Sequence, residues 1–253
     1  MEKISEIKSR LQAAQPEEYA AIFEEYKNDT RSGVMKLMEQ LHKKEAAYQK
    51  ELVRTEKMKA FEHKYEELGL VCGIDEVGRG PLAGPVVAGA VILPRDCNIL
   101  YLNDSKQLSA SKRDELYDVI MENAVAVGIG MASPQRIDEI NILQATYEAM
   151  REAIGKLDPA PQILLNDAVT IPQVTIRQVP IIKGDAKSVS IAAASIVAKV
   201  TRDRMMVEYD KVMPEYCFAS NKGYGSAAHI EALKKYGPSP IHRSTFIKNF
   251  VTD

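Results

Sequence analysis

GIDEVGRGPLAGPVVAGAVIL, Gly73 to Leu93, decides how the chain is read. Asp75 and Glu76 close an apolar run that holds Leu70, Val71, Cys72 and Ile74, so a buried strand delivers two adjacent carboxylates to a sheet edge. Carrying two negative charges out of water is costly unless a cation or hydrogen-bond donors compensate. No basic residue precedes them within the run. A divalent metal ion is the economical compensation.

From this stretch onward, strand and helix patterns alternate. Apolar, β-branched runs predict strands at 70–75, 85–93, 125–132, 162–166 and 174–182. Helical periodicity occupies 109–123, 134–155, 188–212 and 226–236, with Pro134 at a helix start and Gly237 just past a helix end. Short links join the first three strands, which predicts antiparallel pairing there; the later alternation predicts parallel neighbours.

Two further apolar strands end in acids: Asp167 follows Ile163, Leu164, Leu165 and Asn166, and Asp185 follows Val179 to Ile182 and Lys183-Gly184. Singly, each reads as a turn or cap aspartate. A sheet brings such ends together, and an oxygen-rich set of this kind suits Mg²⁺ or Mn²⁺. Asp138-Glu139 repeats the first motif's letters within a helical pattern and reads as solvated surface.

Three lookalikes fail. Gly78, Gly80 and Gly84 imitate a dinucleotide loop, but Pro81 and Pro85 lead into a strand rather than a helix. KGDAKS, 183–188, imitates a phosphate loop but has Ala186 and Ile181 where that loop needs glycines. Ser195 and Lys199 stand one helical turn apart, yet the small residues of IAAASIVAK mean close helix packing rather than a nucleophile.

A net charge of -2 excludes a uniformly basic nucleic-acid coat. Positive charge is local instead: Lys183, Lys187, Lys199, Arg202 and Arg204 face only Asp185 and Asp203 between 183 and 204, a patch able to hold phosphates. Cys72, Cys97 and Cys217 are widely spaced and form no CxxC pair, which favours reduced thiols in a cytoplasmic protein. Nothing in the sequence reads as a membrane span. Residues 1–68 differ in composition, with Gly33 and Pro16 the only such residues before Gly69. They read as a small all-helical domain of three helices, the second opening at Pro16 and the third following a break at 29–33. Either a tethering extension or a substrate-binding module fits, and 69–253 is the catalytic part.

The motifs GIDEVGRGPLAGPVVAGAVIL, NDSKQLS (103–109), INILQAT (140–146), IIKGDAKSVSIAAASIVAKVTRD (181–203), NKGYG (221–225) and HRSTF (242–246), in this order, resemble the type 2 ribonucleases H. The resemblance covers roughly 70–250 and implies an α/β, ribonuclease H-like mixed sheet flanked by helices. It places the family's four metal-site acids on Asp75, Glu76, Asp167 and Asp185, its Gly-Arg-Gly motif on Gly78, Arg79 and Gly80, and its ribose-sensing tyrosine on Tyr224. Related type 3 enzymes usually carry Gly-Lys-Gly, so Arg79 favours type 2. The family often has glycine after Asp167, where this chain has Ala168.

The implied activity is endonucleolytic cleavage of RNA in RNA/DNA hybrids and 5′ to single ribonucleotides in duplex DNA, by a monomer using two ions of Mg²⁺ or Mn²⁺. Gly78 and Gly80 would let backbone approach the ribose, Arg79 would bind a phosphate through its fork, and Lys106, Lys183, Lys199 and Arg202 are candidate phosphate contacts. A type 3 enzyme, a junction nuclease of the same fold and a hybrid-binding protein without catalysis are the alternatives.

Overall fold

The computed structural model describes residues 2–251, and its contacts divide the chain into one compact unit up to Glu56 and another from Lys57. The first unit holds α1 (Ile4–Ala13), a 3₁₀ turn opened by Pro16, α2 (Tyr19–Tyr26) and most of α3 (Ser32–Met58). Ile7, Leu11, Tyr19, Ile22, Tyr26, Val34 and Leu41 form its core. Arg10 grips both carboxylate oxygens of Glu25 at 2.9 and 2.8 Å.

The contact boundary lies before the composition change at 68/69. Residues 57–68 belong by contact to the second unit because their apolar side chains are buried there. Met58 enters a core cluster, and Phe61 and Tyr65 of α4 (Ala60–Tyr65) pack against Val71, Ile163 and Ile191.

The second unit is built on a five-stranded sheet, β1 (Val71–Val77), β2 (Val86–Ile92), β3 (Ala126–Ala132), β4 (Ile163–Asp167) and β5 (Arg177–Ile181), in the order β3-β2-β1-β4-β5. The first three strands pair antiparallel as expected, although only β1 and β2 are joined by a short link, the helix 110–123 lying between β2 and β3; β4 runs parallel to β1 and to β5. All of β2 is buried. Val86, Ala88, Ala90 and Ile92 join the core that contains Ala145, Ala149, Met150 and Ala153 of α6 (Pro134–Gly155), while Val91 joins the core of α7 (Val189–Val212) and α5 (Ala110–Asn123). This two-faced burial explains the continuous apolar run.

The small residues of α7 do pack closely. A Cβ on Gly73 would lie 2.0 Å from the carbonyl carbon of Ser190, so only glycine lets β1 approach the helix there. Glu62 fixes the start of α7: its Oε1 accepts from Ser188 Oγ at 2.5 Å and from Ser190 N at 3.0 Å. A carboxylate there also complements the helix dipole.

Two expectations need correction. The helix over 134–155 is broken at Asn141 (φ 68°, ψ 163°), whose Oδ1 accepts from Leu143 N and Gln144 N and caps a restarted helix. Asp138 is not merely solvated surface, because its carboxylate accepts from Ser244 N at 2.7 Å and Thr245 N at 2.9 Å, capping the short α10 (Ser244–Ile247). Among the described residues no helix is long and apolar enough to cross a membrane, and the three cysteines are free.

Candidate active site

Parallel pairing brings the acids together. Gly73 of β1 pairs with Leu165 of β4, and two residues further along the same face stand Asp75 and Asp167. Strand β1 runs on to Val77, so Asp75 and Glu76 lie within it rather than just beyond it. Asp167 ends β4, and Asp185 sits in the 3₁₀ turn Gly184–Ala186 after β5. Gly184 N donates to Asp167 Oδ1 at 2.7 Å, which ties that turn to the neighbouring strand end.

The site is electrostatically strained. Asp75 is 7% exposed, and burial, then Glu76 and Asp167, push its carboxyl well above the usual range against opposing hydrogen bonds from Ser195 and its neighbour's N–H. Burial also raises Glu76, while Arg79 pulls it back; Arg79 Nη1 donates to Glu76 Oε1 at 3.2 Å. Asp185 is raised by burial, then by Asp104 and Asp167, with Lys106 opposing. Among the described residues no three His, Cys, Asp or Glu side chains are gathered tightly enough to enclose one ion. A divalent cation fits this donor set, since it would offset the burial and like charge that raise Asp75, Glu76 and Asp185.

The loop from Gly78 to Pro85 lies beside these acids and is held from beneath by two buried arginines. Arg243, 0% exposed, donates through Nη2 to Gly78 O at 2.6 Å and Gly84 O at 2.8 Å, and through Nη1 to Arg79 O at 2.9 Å. Arg202, also 0% exposed, donates to Pro85 O, Ala83 O and Lys222 O at 2.8, 3.0 and 2.8 Å. Arg202 is therefore no phosphate contact here: its guanidinium is spent on carbonyls. Gly78 changes meaning too. Its φ of +90° suits glycine, and a Cβ would lie 2.3 Å from Arg202 Nε, so packing rather than ligand approach demands it. Gly80 has open space around that position. Arg79 keeps an exposed side chain, and the Tyr224 ring is exposed with Arg202 Cζ 6.0 Å from its centroid.

The lysines divide. Lys106 is exposed and close enough to act on Glu76 and Asp185. Lys183 is exposed beside Asp185 in a left-handed conformation. Lys199 is committed instead: its half-buried ammonium donates to Asp203 Oδ1 at 2.7 Å, one turn along α7, which takes it out of the candidate phosphate contacts.

Three residues escaped sequence reasoning. Arg243 was visible only as part of HRSTF, and no local pattern distinguishes an arginine that braces a loop from one that faces solvent. Asp104 caps the turn Ser105–Gln107 while acting on Asp185. Ser195 Oγ, 3.0 Å from Ser105 Oγ, is a neutral hydroxyl close enough to Asp75, the most buried acid, to oppose the rise of its carboxyl.

Comparison with known proteins agrees with this architecture. The ribonuclease HII family model matches residues 72–249, and the model for the ribonuclease HII N-terminal domain matches 3–66. The chain is 64% identical to ribonuclease HII of Lachnoclostridium phytofermentans over 253 residues, 99% of this chain and 98% of that one. Ribonuclease H2 of Pyrococcus horikoshii superposes with a TM-score of 0.59 at 29% identity, covering 73% of this chain and all of that one. Bst-RNase HIII in complex with Mn²⁺ shares the fold, with a TM-score of 0.57 at 18% identity over 71% of this chain and 68% of its own. With a mixed sheet, acids at its strand ends and a full-length relative in agreement, the chain belongs to the ribonuclease HII family of endoribonucleases.

Proposed function

We propose that the protein cleaves RNA in RNA/DNA hybrids and cuts 5′ to a single ribonucleotide in duplex DNA, leaving 3′-hydroxyl and 5′-phosphate ends. The observation that carries this reading is the grouping of Asp75, Glu76, Asp167 and Asp185 at one end of the sheet, with the exposed Arg79 bonded to Glu76 and the exposed Tyr224 next to Gly223, which bonds the Gly78–Pro85 loop. Asp75, Glu76, Asp167 and Asp185 would hold two Mg²⁺ or Mn²⁺ ions, which supply activation of a water and stabilisation of the leaving oxygen. The Mn²⁺ bound by the ribonuclease HIII of the same fold is in keeping with that.

The chain's own groups do the rest. Arg79 offers a fork to a phosphate, open space at Gly80 admits a sugar, and the hydroxyl and flat face of Tyr224 meet the ribose, whose 2′-hydroxyl distinguishes RNA from DNA. Lys106 and Lys183 add exposed positive charge near the acids. Arg79 rather than lysine favours the type 2 activity over type 3. All four acids come from one chain, so a monomer suffices, and such an activity would serve removal of misincorporated ribonucleotides and RNA primers in the cytoplasm. A cleavage assay on a duplex with one embedded ribonucleotide, with its products resolved for end groups, tests the reading. Cutting 5′ to the ribonucleotide with the all-DNA control intact is expected; equal cutting of both duplexes, or of neither with Mg²⁺ or Mn²⁺ supplied, would refute it.

A further inference from the structure

Tyr224 stands between Gly223 and Gly225, so its backbone has conformational freedom on both sides and must be fixed by contacts beyond its neighbours. Its N–H donates to Asn221 O at 2.9 Å, and its carbonyl oxygen provides a second fixing point. It accepts from Ser226 N at 2.8 Å and lies 2.8 Å from Nδ1 of His229, in the first turn of α9 (Ala227–Tyr236). His229 Nε2 is 2.9 Å from His242 Nε2, and His242 Nδ1 faces Ser239 N at 2.9 Å and Ser239 Oγ at 2.7 Å.

The proton positions follow from what the two ends can do. A backbone N–H only donates, so His242 Nδ1 carries a lone pair; a carbonyl only accepts, so His229 Nδ1 carries a hydrogen. The middle contact is then His242 Nε2–H donating to His229 Nε2. Both rings are neutral and every ring nitrogen is used. Burial favours that state, with His229 0% and His242 5% exposed. Burial, then His229, pushes His242 down to about 4, and burial lowers His229. Next in sequence, Arg243 grips the carbonyls of Gly78, Arg79 and Gly84. One dipeptide thus reaches both halves of the proposed ribose reader.

We propose that His242 and His229 form a neutral hydrogen-bond relay that positions Tyr224 against the sugar, so that these two residues, which never touch substrate, set the discrimination for a single 2′-hydroxyl. The proposal rests on Tyr224 being the ribose reader. Both rings also pack against Tyr216 and Phe218, so the test must separate positioning from core packing.

Side-chain isosteres do that. In His229→Asn the amide nitrogen can sit where Nδ1 was and keep the donor to Tyr224, while in His229→Gln the amide reaches toward His242 and leaves the Tyr224 carbonyl without its ring partner. Full-length His229→Asn, His229→Gln and Tyr224→Ala are compared by kcat/KM on a duplex with one embedded ribonucleotide and on a continuous hybrid. ¹⁵N spectra of the wild-type imidazoles read the tautomers directly, whether or not a variant folds. The relay predicts Nδ1–H on His229 and Nε2–H on His242. It also predicts that His229→Gln loses about tenfold more on the single-ribonucleotide duplex than on the hybrid, one lost hydrogen bond's worth, while His229→Asn, which keeps the donor to Tyr224 but loses the bond to His242, shifts the ratio by less than His229→Gln does. Any other tautomer pair overturns the relay. If Tyr224→Ala is selective but His229→Gln lowers both substrates equally, the histidines only fill the core and the positioning claim fails while the Tyr224 reading stands. Equal losses in Tyr224→Ala remove that reading first, and the claim with it.

Discussion

Ala168 holds a left-handed backbone (φ 56°) in the turn after Asp167, where its N–H donates to Ile181 O at 3.0 Å. The left-handed region costs a residue with a Cβ about 1–2 kcal/mol, and glycine's extra unfolded-state freedom offsets about 0.5–1 kcal/mol of any relief. Ala168→Gly is therefore expected to raise stability by up to ~1 kcal/mol, read as a higher thermal midpoint with unchanged turnover. Asp75 offers a second residue-scale test. Its carboxyl, raised by burial and by Glu76 and Asp167, is protonated in both states below the unfolded carboxylate range, and the destabilisation builds as pH rises from the unfolded value to the raised folded-state value. In the absence of divalent ions Asp75→Asn should melt higher than wild type at neutral pH, with the difference fading toward pH 4; Mg²⁺ or Mn²⁺ should stabilise the wild type more than the variant. A lower metal-free melting point for Asp75→Asn at neutral pH would show that the acid is not under charge strain.

Among the elements, α7 and its start connect the fold to the site. Glu62 accepts from Ser188 Oγ and Ser190 N, and Ser188 N in turn donates to Gly184 O at 2.8 Å, in the turn that bears Asp185. Glu62→Ala removes a capping carboxylate and should cost ~1–2 kcal/mol, measured by denaturant titration. Loss of less than a few tenths would mean the N-terminus of α7 is held by other contacts. The strands and long helices were legible because their signals are local: the all-apolar β2, Pro134 at a helix start and Gly237 past a helix end, the carboxylates ending apolar runs. That acids at strand ends meet was expected of any sheet; that β1 pairs with β4 in the register of Gly73 with Leu165 came only from the structure. What was not legible depends on direction and distant partners. Arg202 and Lys199 look alike on paper as basic residues of one helix, yet Arg202 points into the Gly78–Pro85 loop and Lys199 along the helix to Asp203. Asn141 breaks a helix whose apolar spacing continues through it, because its own side chain supplies the new cap.

At the scale of the whole molecule, the site is assembled wholly from residues after Lys57, while residues 1–68 carry 13 basic and 14 acidic side chains and so lack a strong electrostatic clamp. Removing residues up to Glu56 keeps Glu62 and the α4 contacts, and should raise KM with a modest change in kcat, the full-length protein losing affinity more steeply with salt. Removing 1–68 also takes Glu62 and should add a loss of stability that the shorter deletion lacks. The proposed activity requires that Asp75, Glu76, Asp167 and Asp185 act as one metal-holding set. The most direct measurement is single turnover on a duplex with one embedded ribonucleotide, as a function of Mn²⁺, for wild type and for each acid replaced by Asn or Gln, with duplex binding followed in parallel. Every replacement is predicted to lower turnover by roughly 10²-fold or more at limiting metal while binding persists; near-normal turnover of Asp75→Asn at low Mn²⁺ would contradict it.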